Sequence, residues 1–455
     1  MADGPLAVIL AAGQGTRMRS SVPKVLHALA GKPLVLHALD AASAVAEGRP
    51  VVVVNPQQPD VRSLLEGRAD CVEQFDPLGT GDAVRSVPES LRRGGPVLVL
   101  SADVPLIRVE TLPQLLDAHA DSEAVCTLLS VVPENPSGMG RIQRDYEGHV
   151  GRIIEEGDLP RGMVPPLECN AGVYVFQGDR LWPALDKLSA DNAQGEYYLT
   201  DVAEFLGGRV AAIAVGDPAE VIGINDRRQL ASAERALRRR TLDELMVGGV
   251  TVEDPETTYI DAGVRIGADS IVRPMSVLRR GTTLGPGSRI GPSAVLDAVR
   301  GGERIEIGPA HLEECVLGDD VKVGPYCRVR PNTVLGSGVE LGTHAELKNS
   351  TVGSGSRINH FSCVLDTDVG RDVNIGAGTV TCNYDGSAKH RTTIGDGVFV
   401  GSNSTLVAPL RIGDRAYIGA GSVVNLDVPA GALAVGRARQ RNIEGWATRR
   451  RSGRE

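Results

Sequence analysis

The sequence has few aromatic residues, since Phe, Trp and Tyr together make up 3% of its 455 residues. This scarcity argues against the aromatic stacking platforms that bind single-stranded nucleic acids. The chain also lacks a basic excess, with 48 Lys and Arg against 57 Asp and Glu and a formal charge of −9. Only the segment from Arg437 to Arg454 is strongly basic. We therefore expect no nucleic-acid partner.

Long apolar runs and paired cysteines are missing as well. No apolar stretch approaches the ~20 residues that a membrane helix needs. A signal peptide would have a basic residue ahead of its apolar run, and the short run Leu6–Ala12 has none. The seven cysteines are scattered without a Cys-x-x-Cys pair, which suits a reducing compartment. We expect a cytoplasmic protein without membrane contact, and 455 residues predict at least two domains.

The carboxyl-terminal half contains an aliphatic residue at almost every sixth position. The series is Ile260, Ile266, Val272, Leu278, Leu284, Ile290, Leu296, then Leu317, Val323, Val329, Leu335, Leu341, Leu347, then Val352, Ile358, Val364, Val369, Ile375, and finally Ile394, Val400, Leu406, Ile412, Ile418, Val424. Helices and simple strands have periods near 3.6 and 2, so neither explains this spacing. A period of six predicts a parallel β-helix in which each hexad forms one short strand and one corner.

A coil of this kind buries its apolar residues only by stacking each turn on the next. It leaves flat outer walls, which favour side-by-side association, and a threefold arrangement would close on itself. We expect functional sites where an insertion interrupts the repeat. Two interruptions are predicted, the charged and glycine-rich segment Asp297–Glu306 and the segment Thr381–Thr393.

The amino-terminal half has a different pattern. Apolar runs at Leu6–Ala12, Val51–Asn55, Val97–Ser101 and Ala124–Val132 are separated by longer segments compatible with helices. They predict buried parallel strands of an α/β sheet, whose ligands bind at the carboxyl ends of the strands. The first run leads into a glycine loop that carries Arg17 and is followed by Lys24, which suits phosphate binding. On spacing alone this loop could equally be a strand-to-helix turn with solvated cations.

Several longer motifs support one resemblance. The segment LAAGQGTRMRSSVPKVL (10–26) resembles the signature of sugar-1-phosphate nucleotidylyltransferases. It is followed in the expected order by Gln74, PLGTGDA (77–83), SADVPL (101–106), MGRI (139–142), IEEGD (154–158), ECNAGVYVF (168–176) and GINDR (223–227). Together with the hexads, these motifs resemble the bacterial family of bifunctional N-acetylglucosamine-1-phosphate uridylyltransferases and glucosamine-1-phosphate N-acetyltransferases, over nearly the whole chain.

The resemblance implies an α/β nucleotidyltransferase (Rossmann-like) domain over residues 1–226 and a left-handed parallel β-helix of hexapeptide repeats, the acetyltransferase domain, over residues 251–437. Residues 227–250 would be a helical linker and residues 438–455 a basic tail. The linker is also predicted from composition, because residues 226–247 are rich in Ala, Leu, Glu and Arg. Gly248 and Gly249 would end that helix.

The resemblance also implies residue roles in the amino-terminal domain. Arg17 and Lys24 would act on the nucleotide phosphates as catalytic residues, and Asp103 and Asn225 would ligate Mg²⁺. Contacts to UTP or UDP-N-acetylglucosamine would come from Leu10, Ala11, Gly13, Lys24, Gln74, Gly79, Thr80, Gly140, Glu155, Asn170 and Asn225. Asp103 could alternatively cap a helix. The chain departs from the family at Ala102, where glycine is usual.

In the β-helix the resemblance makes His360 the general base, although a lone histidine is more often structural. Glucosamine 1-phosphate would be bound by Arg330, Lys348, Cys363, Asn374 and Tyr384. Acetyl-coenzyme A would be bound by Ala377, Asn383, Tyr384, Ser402, Ala420 and Arg437. The family forms homotrimers with this site between subunits, completed by the segment Thr381–Thr393 and by the tail with Trp446. Cys363 is a second departure, because the family commonly has tyrosine there.

The leading hypothesis is thus one enzyme with two active sites and with UTP and acetyl-coenzyme A as co-substrates. It would make UDP-N-acetylglucosamine, a precursor of peptidoglycan and lipopolysaccharide. One alternative is nucleotidyl transfer alone, with the β-helix used for assembly, as in pyrophosphorylases of ADP-glucose. The other is a non-enzymatic scaffold, as in some translation-factor exchange subunits. His360 with Asn383 argues against the first alternative, and Arg17, Lys24 and Asp103 argue against the second.

Overall fold

The structure, a computed structural model, describes residues 4–452, with side chains as far as residue 450. The chain divides into two compact units, residues 1–237 and 238–455. No helix within the described residues is long and apolar enough to cross a membrane. The functional division into four segments remains a prediction.

The first unit is built on a mixed sheet. The strands of this unit are β1 Leu6–Leu10, β2 Ala28–Leu29, β3 Lys32–Pro33, β4 Val51–Val54, β5 Asp70–Glu73, β6 Pro96–Ser101, β7 Cys126–Val131, β8 Arg141–Arg144, β9 Val150–Ile154, β10 Cys169–Gln177 and β11 Val210–Ala214. Its α-helices are α1 Leu34–Ser43, α2 Pro59–Leu65, α3 Thr80–Arg85, α4 Thr111–Asp121, α5 Gly178–Leu185 and α6 Val202–Phe205. Short 3-10 helices lie at Thr16–Met18, Lys24–Leu26, Glu89–Leu91, Glu156–Asp158, Leu199–Asp201 and Pro218–Val221.

The strand order of the main sheet is β11-β7-β10-β6-β1-β4-β5. Strand β1 is parallel to β4 and β6, and its residues are almost entirely buried because apolar side chains cover both faces of the sheet. The four predicted strands are therefore confirmed as β1, β4, β6 and β7. Strand β10 runs antiparallel between β6 and β7, and β8 and β9 form an added antiparallel pair. None of these three strands was predicted from the sequence.

The second unit is a parallel β-helix with three walls of stacked strands. The first wall contains β12 Thr251–Val252, β15 Ile271–Val272, β18 Arg289–Ile290, β21 Glu306–Ile307, β24 Lys322–Val323, β27 Glu340–Leu341, β30 Arg357–Ile358, β33 Asn374–Ile375, β36 Phe399–Val400, β39 Tyr417–Ile418 and β41 Leu433–Ala434. The second wall contains β13 Tyr259–Ile260, β16 Val277–Arg279, β19 Val295–Asp297, β22 His311–Glu313, β25 Arg328–Val329, β28 Glu346–Lys348, β31 Cys363–Leu365, β34 Val380–Cys382, β37 Thr405–Val407 and β40 Val423–Val424. The third wall contains β14 Arg265–Ile266, β17 Thr283–Leu284, β20 Arg300–Gly301, β23 Cys315–Leu317, β26 Thr333–Leu335, β29 Thr351–Val352, β32 Thr367–Val369, β35 Thr392–Ile394 and β38 Leu410–Ile412.

Each coil passes from the first wall to the second and then to the third, and the three stacks of parallel strands agree with the predicted left-handed parallel β-helix. The hexad residues fill its interior; Val272, Leu278 and Ile290 are completely buried, and the whole series belongs to or packs against one continuous core. We call the turns from first-wall to second-wall strands the first corner, and the turns from second-wall to third-wall strands the second corner. Buried hydroxyls stabilise these turns; Ser276 Oγ, for example, donates to the carbonyl of Arg273 at 2.8 Å.

The two predicted interruptions have different outcomes. The prediction at Asp297–Glu306 is wrong, because β20 lies inside this segment and pairs with β17 and β23 in the regular stack. Gly301 stands at the inward position, and a methyl group there would lie 2.5 Å from Ile305 Cδ1, so the buried Ile305 fills the space instead. The segment Thr381–Thr393 does leave the coil, between β34 and β35, with a small antiparallel bridge from Tyr384 to Lys389.

The predicted linker forms helix α7, Arg227–Val247. Asp226 caps it, since its Oδ1 accepts from the backbone N–H of Arg228 and Gln229 at 2.8 and 2.9 Å. Gly249, with φ of 90°, follows its end. Ala233 is buried in a small cluster of the first unit, and Leu242 is buried in the core of the β-helix. Each end of the helix is therefore packed into the core of the unit to which it belongs. The α-helix α8, Trp446–Ser452, lies in the tail.

Candidate functional site

Two adjoining cavities lie at the carboxyl ends of β1 and β6, as expected for an α/β sheet. They measure about 430 and 350 Å³ and share Leu10, Thr80, Ser101 and Asp103 in their walls. The predicted residues that line the first cavity are Leu10, Ala11, Gly13, Lys24, Gln74, Gly79, Thr80 and Asp103. Those that line the second are Leu10, Thr80, Asp103, Gly140, Glu155, Asn170 and Asn225. The structure thus brings the predicted nucleotide and sugar residues together.

Lys24 stands between the two predicted metal ligands. Its Nζ lies 2.6 Å from Asp103 Oδ2 and 3.4 Å from Asn225 Oδ1. Arg17, which is outside the described walls of both cavities, donates to the same Asn225 oxygen at 3.0 Å. The backbone N–H of Ile224 donates to the carbonyl of Asp103 at 2.8 Å. This bond holds Asn225 beside Asp103, although the two residues are far apart in the chain.

The ionisation of Asp103 is controlled by opposing effects. Burial raises the pKa of its carboxyl group, but the Lys24 ammonium and the hydroxyl of Ser101 outweigh burial, so the pKa lies below its ordinary value. Ser101 Oγ donates to Asp103 Oδ1 at 2.6 Å. Ser101 was not predicted from the sequence, although its position at the end of β6, two residues before Asp103, was an available signal. The result is a carboxylate held ionised at the junction of the two cavities.

The donor set at this junction fits Mg²⁺. The oxygens of Asp103 and Asn225 already converge on one positive centre, the Lys24 ammonium. Within residues 4–452, no cluster of three or more His, Cys, Asp or Glu side chains is arranged to hold a metal. A site here would therefore use few protein ligands, and Mg²⁺ commonly accepts this because it keeps waters and phosphate oxygens.

Glycine is needed where the loop after β1 approaches Lys24. Gly15 has φ of 63°, and a methyl group on it would lie 2.5 Å from Lys24 Cβ. Gly13 has open space where its side chain would be, which leaves its backbone accessible to a ligand. The departure at Ala102 is accommodated, since its methyl group is fully buried in the sheet core and its N–H donates to the carbonyl of Leu10 at 3.0 Å.

Gly79 and Thr80 border the first cavity from the start of α3. Gly79 has φ of 120°, and a methyl group there would lie 2.6 Å from the carbonyl oxygen of Tyr197. Thr80 Oγ1 accepts from the N–H of Leu199 at 3.0 Å. These contacts fasten the segment that begins α3 to residues 197–199. Gln74, almost fully buried, lies beside this segment and donates to the Gly79 carbonyl at 3.2 Å.

In the second cavity, the environment of Glu155 favours the protonated, neutral form of its carboxyl group. Burial raises the pKa of its carboxyl group, while Thr200 Oγ1 donates to Oε1 at 3.1 Å and acts in the opposite direction. A methyl group on Gly140 would lie 3.2 Å from the same oxygen, so a small residue is needed beside it. Asn170 donates to the hydroxyl of Tyr174 at 2.6 Å. Thr200 is another contributor that the sequence analysis missed.

In the β-helix, His360 lies exposed at the first corner. Its carbonyl accepts from the N–H of Gly378 at 3.0 Å, the carbonyl of Ala377 accepts from Asn403 at 2.7 Å, and that of Ser402 accepts from Gly421 at 2.8 Å. Consecutive coils thus place the predicted base in one column with Ala377 and Ser402, two of the residues predicted for acetyl-coenzyme A. Ala420 follows Ser402 in this column, and Arg437 lies beside Gly421.

Three of the predicted sugar-phosphate residues, Arg330, Lys348 and Cys363, lie in or directly after strands of the second wall. Glu346 pairs with Arg328 in β25 on one side and with Cys363 in β31 on the other. The guanidinium of Arg330 donates to Glu346 at 3.1 Å. Lys348 pairs with Leu365 in the same ladder. Arg330, Lys348 and Cys363 are therefore grouped on one outer surface, within a coil or two of His360.

Three predicted residues are placed elsewhere. Asn374 belongs to the first wall, where it pairs with Arg357 and Phe399. Asn383 and Tyr384 begin the excursion at the second corner, and the Asn383 amide is bound by the carboxylate of Asp366. Within the described part of one chain, the residues predicted for the second site are thus spread over two walls and two corners.

Comparisons with known proteins agree with both units. Residues 7–203 match the MobA-like NTP transferase domain, and residues 311–408 match the GMPPB C-terminal domain. A curated relative from Heliobacterium modesticaldum, named bifunctional protein GlmU, is 45% identical over 454 residues, covering 98% of each chain. Proteins of the same name from Pelobacter propionicus and Kineococcus radiotolerans are 44% and 45% identical, covering 97% and 99% of this chain and 98% and 93% of their own.

Proposed function

The chain belongs to the family of bifunctional GlmU proteins, and from that membership we propose an enzyme with two separate active sites. The β-helix transfers an acetyl group from acetyl-coenzyme A to glucosamine 1-phosphate. The first unit then joins N-acetylglucosamine 1-phosphate to UTP and releases pyrophosphate and UDP-N-acetylglucosamine. The observation that carries the proposal is the convergence of Lys24, Asp103 and Asn225 between two cavities, in a chain whose other unit presents His360 on a hexad coil.

In uridylyl transfer, the phosphate of the sugar attacks the α-phosphorus of UTP, and pyrophosphate leaves. The reaction needs alignment and charge neutralisation more than covalent catalysis. Arg17 and Lys24 supply positive charge beside the glycine loop, whose backbone N–H groups can approach phosphate oxygens. Bound Mg²⁺, held by Asp103 and Asn225, would further neutralise the phosphates.

The two cavities divide the substrates. The first, with Leu10, Ala11, Gly13, Gln74, Gly79 and Thr80, takes the nucleotide, and Gln74, Gly79 and Thr80 read the base. The second takes the acetylated sugar and the ribose, with Gly140, Glu155, Asn170 and Asn225 as partners. The shared wall at Asp103 lies where the phosphates of both substrates must meet. The size of each cavity, about 430 and 350 Å³, suits a ligand of this class.

In acetyl transfer, His360 removes a proton from the glucosamine amine as the nitrogen attacks the thioester carbonyl. The backbone N–H near Ala377 donates to the oxyanion, and coenzyme A leaves as its thiol. Arg330 and Lys348 bind the sugar phosphate with the help of Asn374, Tyr384 and Cys363. The acetyl-coenzyme A site is lined by Ala377, Asn383, Tyr384, Ser402 and Ala420, with Arg437 facing its phosphates.

The acetyltransferase site is completed by neighbouring copies in a homotrimer. One chain leaves Asn374 on the first wall, and Asn383 with Tyr384 at the second corner, apart from the column at His360. A threefold arrangement of prisms sets a corner of one copy against a wall of the next and so supplies both halves. The enzyme acts in the cytoplasm on small molecules and requires neither nucleic acid nor membrane.

The test combines two assays on the purified chain. Release of coenzyme A thiol from acetyl-coenzyme A should require glucosamine 1-phosphate and should be lost in His360→Ala. Release of pyrophosphate should require UTP, N-acetylglucosamine 1-phosphate and Mg²⁺. Light scattering should give the mass of three chains. Pyrophosphate release without any thiol release would reduce the function to nucleotidyl transfer, and the absence of both activities would leave only a scaffold.

A further inference from the structure

The amide of Gln74 is held by two groups that only accept hydrogen bonds. Its Nε2 donates to the carbonyl oxygen of Gly79 at 3.2 Å and to Oδ2 of Asp82 at 2.8 Å. A backbone carbonyl and a carboxylate have no proton to donate, so only the NH₂ end of the amide can face them. The two ends of a glutamine amide are easily confused, but here the partners fix the assignment. The amide oxygen is left for a ligand in the first cavity, which Gln74 lines.

Asp82 is fixed from its other side. Its Oδ1 accepts from the guanidinium of Arg85 at 2.7 Å, and this guanidinium lies 4.7 Å from the ring centroid of Tyr197. The backbone of Tyr197 in turn bonds to Gly81 and Leu78, both at 2.8 Å. The carboxylate therefore cannot rotate away from Gln74 without breaking the ion pair with Arg85. Tyr197, Arg85, Asp82 and Gln74 form a continuous chain of contacts that ends at the cavity.

We propose that Asp82 is a positioning residue for base selection, which holds Gln74 with its amide oxygen toward the base. This inference rests on the proposed function, in which Gln74 reads uracil. The N3 atom of uracil carries a hydrogen and can donate to that oxygen. The N3 atom of cytosine is an acceptor, so cytosine would set two acceptors against each other. Sites built around a specific hydrogen bond discriminate strongly, because the wrong ligand leaves buried polar groups unpaired.

Asp82→Asn is the most informative variant because it keeps the size of the side chain and removes one acceptor. Asparagine has a single oxygen, and the positive guanidinium of Arg85 takes it. The NH₂ group of the introduced asparagine then faces the NH₂ group of Gln74, and two donors cannot pair. Gln74 keeps the longer bond to Gly79 in its original orientation, but a flipped Gln74 could accept from the new NH₂ group, so the two orientations compete. Selection between uracil and cytosine should weaken without any change in residues that contact the phosphates.

The experiment measures kcat/KM for UTP and CTP by pyrophosphate release, with Mg²⁺ and N-acetylglucosamine 1-phosphate. We expect the UTP-to-CTP ratio to fall by about tenfold or more in Asp82→Asn and Asp82→Ala, as loss of a charge-assisted hydrogen bond implies. The KM for UTP should rise, while kcat at saturating UTP changes by less than about threefold. Calorimetric titration with UTP and with CTP should show the same loss of preference.

Two further variants separate the inference from its premise. Asp117→Asn, on the exposed side of α4, should leave the ratio unchanged, and acetyl transfer by each variant reports that the chain has folded. If Gln74→Ala lowers the ratio and both Asp82 variants keep it within about threefold of wild type, the positioning role is wrong while uracil reading stands. If Gln74→Ala leaves the ratio unchanged, uracil reading by Gln74 is itself wrong, and the role of Asp82 falls with it.

Discussion

Replacement of Cys363 by tyrosine tests the proposed sugar-phosphate site most sharply. Cys363 is half-buried on the second wall, between Glu346 in β28 and Val380 in β34. Burial raises the pKa of its thiol, with the neighbouring carboxylate of Glu346 acting in the same direction. The thiol therefore stays protonated at neutral pH and is a weak donor. Beside Arg330, it adds little to the binding of a phosphate.

The size of the effect follows from the donor that tyrosine adds. A hydrogen bond to a charged group contributes about 1.5–3 kcal/mol, and ordering the new side chain offsets roughly 0.5–1.5 kcal/mol of this. A net gain of about 1.4 kcal/mol corresponds to a factor of ten. We therefore expect Cys363→Tyr to lower the KM for glucosamine 1-phosphate about tenfold, with kcat changed by less than about twofold, as for uniform binding.

The assay follows coenzyme A thiol at saturating acetyl-coenzyme A while glucosamine 1-phosphate is varied. Cys363→Phe is the matched control, since it adds the ring without the hydroxyl, and its KM should stay at or above the wild-type value. An unchanged or higher KM in Cys363→Tyr would show that the tyrosine hydroxyl does not bind the sugar phosphate. So would an equal fall in Cys363→Phe, because the gain would then come from packing and not from a hydrogen bond to phosphate.

The other predictions concern the nucleotide loop, pH dependence and the coil. Gly79→Ala places a methyl group 2.6 Å from the Tyr197 carbonyl oxygen, in a residue whose φ is 120°. The resulting backbone strain is about 1–3 kcal/mol. The kcat/KM of uridylyl transfer should therefore fall at least tenfold, while acetyl transfer is unchanged. Burial raises the pKa of Asp201 to about 6 from 3.8, so the folded state binds more protons and loses stability as pH rises from about 4 to 6. Asp201→Asn should remove this loss. After allowance for solvent screening, we expect the free energy of unfolding at pH 7 to rise by about 1 kcal/mol, which corresponds to a Tm about 2–4 °C above that of wild type. Below about pH 4 the two proteins should have the same Tm. Ile358→Ala in the coil interior should cost about 2–5 kcal/mol in denaturant unfolding followed by circular dichroism, against less than about 0.5 kcal/mol for the exposed Thr351→Ala. A reversed pH trend for Asp201→Asn, or equal costs for Ile358→Ala and Thr351→Ala, would contradict these assignments.

The fold of the second unit was largely predictable, because one aliphatic residue at every sixth position marks each inward-facing site of the coil. A residue such as Leu347 must face inward once every sixth position is apolar, so the interior of the coil could be read directly. The prediction failed at Asp297–Glu306 because Gly301 occupies an inward position that sequence reading expects to be aliphatic, and Ile305 fills the space from the neighbouring turn. The direction of β10 could not be read either, since an apolar run does not encode which way a buried strand points.

The residues of the candidate sites also fall into two groups, those whose positions the sequence predicted and those whose contacts it did not. The positions of Asp103 and Lys24 beside the cavities were predictable, because each follows a strand or loop that ends at the ligand edge of the sheet. The contacts of Ser101, Thr200 and Asp82 were not predicted, because they depend on side chains that only the fold brings close. Ser101 shows this best, since a serine at the end of a strand has no visible role until its hydroxyl is found 2.6 Å from the carboxylate of Asp103.

We propose that one chain has two independent active sites, and both half-reactions should therefore be measured on Asp103→Ala and His360→Ala. Asp103→Ala should lose pyrophosphate release and keep acetyl transfer, and His360→Ala should lose acetyl transfer by about 10²–10⁴, the usual contribution of a general base, and keep pyrophosphate release. If either substitution lowered both activities by similar factors, or if neither lowered its own, the assignment of two separate sites would be contradicted.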